Sequence, residues 1–120
     1  TKYFISGDSE NLKRAFINIL DNAIRYSPAN EIIQIEIFKR DSSVVIRVRD
    51  KGIGLEENEF NDIFSRFYRG DPSRTKFKKS GSGLGLSITK KIINNNKGFI
   101  KAFNHKDSGA IIETIFPAVE

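Results

Sequence analysis

Hydrophobic residues in this chain change period several times within one domain's length, and that switching restricts the fold to helices packed against a sheet. From Asp8 or Ser9 to about Tyr26, apolar side chains recur with helical spacing. Leu12, Phe16, Ile19 and Ala23 share one face of a wheel that turns about 100° per residue. Asp8 or Ser9 suits the N-cap, and Ser27-Pro28 stops the helix. Ile32–Phe38 and Val44–Asp50 alternate with strand period on either side of a turn at Arg40–Ser43. Glu56–Phe64 reads as a short helix and Leu84–Asn95 as a longer one. Phe99–Asn104 and Ala110–Phe116 form an expected closing hairpin, and Lys2–Ser6 reads as a short strand. Helices and strands interleaved in this way give a two-layer sandwich.

Arg66–Gly83 breaks the pattern. It has no clear period and contains Pro72 and three glycines, so it reads as a long lid-like loop. Between Ser65 and Ser80 lie six basic residues (Arg66, Arg69, Arg74, Lys76, Lys78, Lys79) against Asp71 alone. The whole chain carries +5, so this segment accounts for the excess and the remainder is neutral. Such a segment is either a solvated basic loop or an anion-binding one. The absence of cysteine excludes thiolate catalysis, disulfides and Cys-ligated zinc, and a single histidine, His105, excludes a histidine metal cluster. No hydrophobic run exceeds three residues, so no segment is expected to span a membrane. The abrupt start in a strand suggests a fragment of something longer.

Three constellations carry candidate chemistry. On the first helix Asn18 and Asn22, four apart, stack on a stripe beside the apolar face, with Arg25 one turn on. An amide oxygen is a hard ligand suited to Mg²⁺, and a guanidinium suits phosphate; alternatively these residues form the wet side of an amphipathic helix. In the second strand Val44, Ile46 and Val48 share a face that ends in Asp50. A carboxylate there is costly unless paired, and Gly52 and Gly54 let a ligand approach. Asp50 either accepts from an exocyclic amine such as adenine's or begins an ordinary turn. Third, Gly81-Ser82-Gly83-Leu84-Gly85-Leu86 opens the later helix. Glycine N–H groups and a helix N-terminus favour phosphate, although the spacing matches neither the P-loop nor the dinucleotide fingerprint.

Together, Asn18–Tyr26, Asp50–Gly54, Ile63–Arg69 and Gly81–Leu86 resemble, in order, the N, G1, F and G2 boxes of the catalytic and ATP-binding domain of sensor histidine kinases. That domain is related to gyrase, Hsp90 and MutL, and the resemblance covers about Gly7 to Phe116. It implies an α+β two-layer sandwich of the Bergerat type: a mixed, mostly antiparallel sheet covered on one face by about three helices, with a long ATP lid. It also implies roles. Asn22 holds Mg²⁺ with Asn18 nearby, and Arg25 contacts phosphate. Tyr26 lines the nucleotide pocket, Asp50 reads the adenine amine, and Gly52 and Gly54 shape that end. Phe64 and Phe67 anchor the lid, and Arg69 approaches the phosphates. Gly81, Gly83 and Gly85 give the lid its hinge and N–H donors, with Ser82, Leu84 and Leu86 in the same nucleotide-binding loop.

Some positions depart from the family pattern: Lys51 stands where Asn is frequent, Leu55 where Ile is, and Ser82 where Thr is. The phosphoacceptor histidine is missing; in the family it lies upstream in a separate dimerisation domain. His105 falls in the closing hairpin and reads as a solvated turn residue. The implied protein is the cytoplasmic catalytic domain, residues 1–120, of a membrane-anchored bacterial sensor kinase that is a homodimer at full length. The isolated fragment is expected to be a monomer that binds Mg-ATP without contacting nucleic acid or membrane. Phe67–Arg74 looks most like kinases that partner OmpR-type response regulators. Two other readings stay open: a hydrolytic ATPase of the same superfamily, which would need a base where Asn18 stands, and a nucleic-acid binder using the basic loop with Phe67, Tyr68 and Phe77.

Overall fold

The computed structural model describes residues 2–66 and 85–119. Its elements are α1 (Ser9–Tyr26), β1 (Gln34–Arg40), β2 (Ser43–Arg49), α2 (Glu59–Asp62), α3 (Gly85–Asn95), β3 (Phe99–Asn104) and β4 (Ala110–Pro117). Helix α1 starts where an acidic cap dictates: Asp8 accepts from the Asn11 backbone N–H at 3.2 Å. It ends at Ser27, whose N–H closes on the Ala23 carbonyl before Pro28 forbids another turn.

The strands order as β1-β2-β4-β3. Every pairing among the described residues is antiparallel. The segment expected as a strand at Lys2–Ser6 is not one. Among the described residues its backbone link to the strands is a bond from Val119 N–H to the Phe4 carbonyl at 2.8 Å, with Ile5 packed on the core, and one such bond makes no ladder. The first hairpin begins later than its apolar pattern, at Gln34 instead of Ile32, because pairing opens with Gln34 opposite Arg49. The short helix shrinks to Glu59–Asp62 with turns on either side.

The three helices lie on one face of the sheet. Leu12, Ala15, Ile92, Ile93 and Phe116 form one end of the core. Ile19, Ala23, Val48, Ile63, Phe64, Ala102 and Ile112 form the other. Phe116 is fully buried, and truncating such a ring costs about 3–5 kcal/mol. The Phe116 ring also lies under Gly98, where an added Cβ would come within 2.7 Å of it, so the turn from α3 into β3 is set by this contact.

The outer face carries an ion cluster that alternation did not foretell. Glu113, on β4, is fully buried beneath Arg47, which donates to it at 2.6 Å, with Lys101 at 3.4 Å and Arg40 at 3.6 Å. Burial pushes its carboxyl up, but the Arg47 hydrogen bond and the Lys101 and Arg47 charges outweigh that and hold it below the ordinary glutamate value. The Arg47 guanidinium also lies over the Phe38 ring at 5.0 Å and the Phe103 ring at 5.7 Å.

Candidate functional site

The site residues gather where the C-terminal half of α1 meets the ends of β2 and β4 and the start of α3. Strand β2 leaves its ladder after Arg49, and the next residue, Asp50, is 5% exposed. A buried carboxylate must be met by donors. Its Oδ1 accepts from Gly52 N–H at 2.9 Å and from Ala110 N–H at 3.1 Å. Its own N–H donates to the Ala110 carbonyl at 3.0 Å. Asp50 is therefore fixed by β4 on one side and by its own glycine turn on the other. The turn reading and the recognition reading of Asp50 are compatible in this geometry.

Glycine is required at two positions here by close approach. A Cβ on Gly52 would come within 2.3 Å of the Tyr26 carbonyl, so this loop lies directly against the end of α1. At Gly109, with φ +82°, a Cβ would come within 1.9 Å of the Asp50 carbonyl. Next to Tyr26, the buried Ser27 hydroxyl accepts from Lys51 N–H at 3.0 Å, tying α1 to the residue after Asp50. Asn104 accepts from Leu55 N–H and donates to the Leu55 carbonyl, both at 2.8 Å.

On α1 it is Asn18 that meets α3. The Asn18 amide donates to the Gly85 carbonyl at 3.4 Å, a long bond that joins α1 to the first residue of α3. The buried Thr89 hydroxyl donates to the same carbonyl at 2.8 Å. Asn22, one turn further on, is half-buried, and its side chain makes no hydrogen bond among the described residues. An amide in that state keeps an oxygen available for a hard cation, so the residue fits a Mg²⁺ ligand. Among the described residues no cluster of three His, Asp or Glu could hold a metal, so a cation here would take its other ligands from phosphate and water. Arg25 is held by Asp21 at 3.3 Å in an i,i+4 pair that the wheel argument overlooked.

Phe64 is buried in the core beside Ile63, Ile19 and Val48, and Leu86 packs partly against the same cluster. Among the described residues a Cβ at Gly85 would meet nothing within 4 Å, so their packing does not explain glycine there. Phe67, Arg69, Gly81, Ser82, Gly83 and Leu84 lie outside the described residues. His105 sits in the β3–β4 turn, where its Nδ1 accepts from Asp107 N–H at 3.0 Å. Sequence reasoning missed Ser27, Asn104 and Gly109. Within its own segment Ser27 signals only a helix stop, and a lone Asn or Gly in a hairpin carries no signal of a distant partner.

Comparison with known proteins gives concordant findings. The profile of the histidine kinase-, DNA gyrase B- and HSP90-like ATPases matches residues 7–120. The sensor protein SphS of Synechococcus elongatus is 37% identical over 111 residues, covering 88% of this chain and 27% of its own. The sensor-like histidine kinase SenX3 of Mycobacterium tuberculosis is 35% identical over 115 residues, covering 96% of this chain and 28% of its own. The chain thus spans about a quarter of the length of these curated relatives. Among solved structures, the mycobacterial sensor histidine kinase MprB superposes with a TM-score of 0.84 at 28% identity, covering 97% of this chain and 76% of that one.

Proposed function

This chain belongs to the histidine kinase-, DNA gyrase B- and HSP90-like ATPase family, and from that premise we propose that it binds Mg-ATP and presents the γ-phosphate to a histidine on a separate dimerisation domain. Its relatives include the sensor protein SphS and the sensor-like histidine kinase SenX3. Residues 1–120 would then be the catalytic and ATP-binding domain of such a kinase, working within a dimer. Its product would pass to a response regulator, of the OmpR type on the evidence of Phe67–Arg74.

The observation that carries this reading is the buried Asp50, its Oδ1 held by two backbone donors beside a glycine turn. A carboxylate fixed in this way accepts from the 6-amino group of adenine without reorganising, and guanine, with a carbonyl at that position, would set two acceptors against each other. Asn22 supplies the amide oxygen for the cation, which when bound neutralises phosphate charge. Arg25 reaches phosphate by exchanging its exposed partner Asp21 for the ligand, a small cost for a surface pair. The start of α3 offers a helix N-terminus to the phosphates. Tyr26 closes the pocket next to Gly52, and the basic segment from Arg66 onward, with Arg69, balances developing charge.

Asn18 separates this reading from a hydrolytic one. An amide cannot take a proton from water, and this one donates to the Gly85 carbonyl. No helix among the described residues is long and apolar enough to cross a membrane.

The test is incubation of the pure chain with γ-labelled Mg-ATP, alone and with a helical domain bearing an acceptor histidine. Label is expected on the added domain in acid-labile form and not on the chain itself. Stable label on the isolated chain, or rapid multiple-turnover phosphate release by it, would overturn the proposal.

A further inference from the structure

We propose that Asn104 is a positioning residue for the adenine end of the site, acting through the backbone of Leu55. The proposal rests on the reading of Asp50 as the base-recognising acid. Asn104 is the last residue of β3, an edge strand of the sheet. Its amide meets both main-chain groups of Leu55, accepting from the N–H and donating to the carbonyl, each at 2.8 Å. A primary amide is a neutral side chain that carries donor and acceptor in one plane, as a peptide group does. It therefore joins the Gly52–Leu55 loop to the sheet as one rung of a ladder would.

The position of that rung gives it a role in recognition. Asn104 lies opposite Ala110 in the β3–β4 pairing. Ala110 N–H is one of the two donors that fix Asp50 Oδ1, and the other, Gly52 N–H, belongs to the loop that Asn104 clamps. Asn104 therefore sets the spacing between the two backbone groups that aim the carboxylate. Gly54 completes the fit. It has φ +83°, and a Cβ there would come within 2.8 Å of Asn104 Oδ1, so the loop reaches the amide only because this residue has no side chain. Shorter polar side chains cannot reach both Leu55 groups. A carboxylate keeps the bond from Leu55 N–H but sets a second oxygen against the Leu55 carbonyl. The residue itself is exposed, so truncating it opens no cavity. Its loss should register in recognition more than in stability.

The experiment compares ATP and GTP binding to the wild-type chain, Asn104→Ala, Asn104→Asp and Asp50→Ala, with a thermal melt of each. Wild type is expected to prefer ATP. Asn104→Ala should weaken ATP about tenfold, the scale of a lost hydrogen-bond pair, while GTP changes little, so that the ATP/GTP ratio narrows with the melting temperature nearly unchanged. Asn104→Asp should follow Asn104→Ala, because the donor half of the clamp is gone; it also serves if the alanine variant does not fold. A purely structural role would leave the purine ratio where it was. An unchanged ratio in both variants, with Asp50→Ala still abolishing the preference, would overturn the positioning role and leave the Asp50 reading intact. A wild type with no preference, or Asp50→Ala with full preference, would overturn the Asp50 reading and this inference with it.

Discussion

Replacing Glu113 with Gln tests whether the outer face of the sheet is held by charge. The carboxylate is fully buried, yet the cations around it are not: Arg47, Arg40 and Lys101 keep 30%, 45% and 59% of their side-chain surface exposed. Breaking a fully buried pair from one side costs about 3–5 kcal/mol because a stranded charge remains. Here the stranded cations can turn to water. The loss therefore falls toward that of one charge-assisted hydrogen bond, about 1.5–3 kcal/mol, carried mainly by the 2.6 Å contact from Arg47. We expect Glu113→Gln to lose about 2 kcal/mol at pH 7, which for a domain of this size lowers the melting temperature by roughly 8 °C. The carboxyl is held below its ordinary value. Its contribution is thus complete above the unfolded pKa of about 4.3 and is lost as pH falls through the lower folded value. Urea titrations of wild type and variant from pH 7 to pH 3 should show a gap that closes below about pH 4. A gap that persists unchanged to pH 3, or no gap at pH 7, would refute the reasoning.

Two substitutions probe the frame of the site. Gly109→Ala places a Cβ within 1.9 Å of the Asp50 carbonyl at φ +82°, so a loss of about 2–4 kcal/mol is expected; a melting temperature matching wild type would contradict it. Asp8→Ala removes the cap of α1 far from Asp50 and should cost about 1 kcal/mol while leaving nucleotide affinity unchanged, as calorimetry of both properties would show.

Local pattern made much of the fold legible. The α1 period, its Asp8 cap and its Ser27-Pro28 stop lie within one segment, and so do both hairpins. Asp50 was legible as well, because a carboxylate ending an apolar row demands partners. What stayed hidden depends on pairs far apart in the chain. Ser27 meets Lys51 across 24 residues, Asn104 meets Leu55 across 49, and Ala110 meets Asp50 across 60. Nothing local to a serine, an asparagine or an alanine announces such a partner. The Lys2–Ser6 strand failed because a short apolar run is not enough: among the described residues tertiary pairing supplied one bond where a ladder was needed. Glu113 stayed hidden for the same reason as Ser27, because the three long cationic side chains that cover it come from three other strands. The roles proposed for Asn22, Arg25 and Asp50 are tested by binding.

The measurement that bears most directly on nucleotide recognition is calorimetric titration of Mg-ATP into wild type, Asn22→Ala and Asp50→Ala. Wild type should bind with one-to-one stoichiometry, and each variant, still folded, should bind at least about tenfold more weakly. Equal affinity in all three folded proteins would contradict the account.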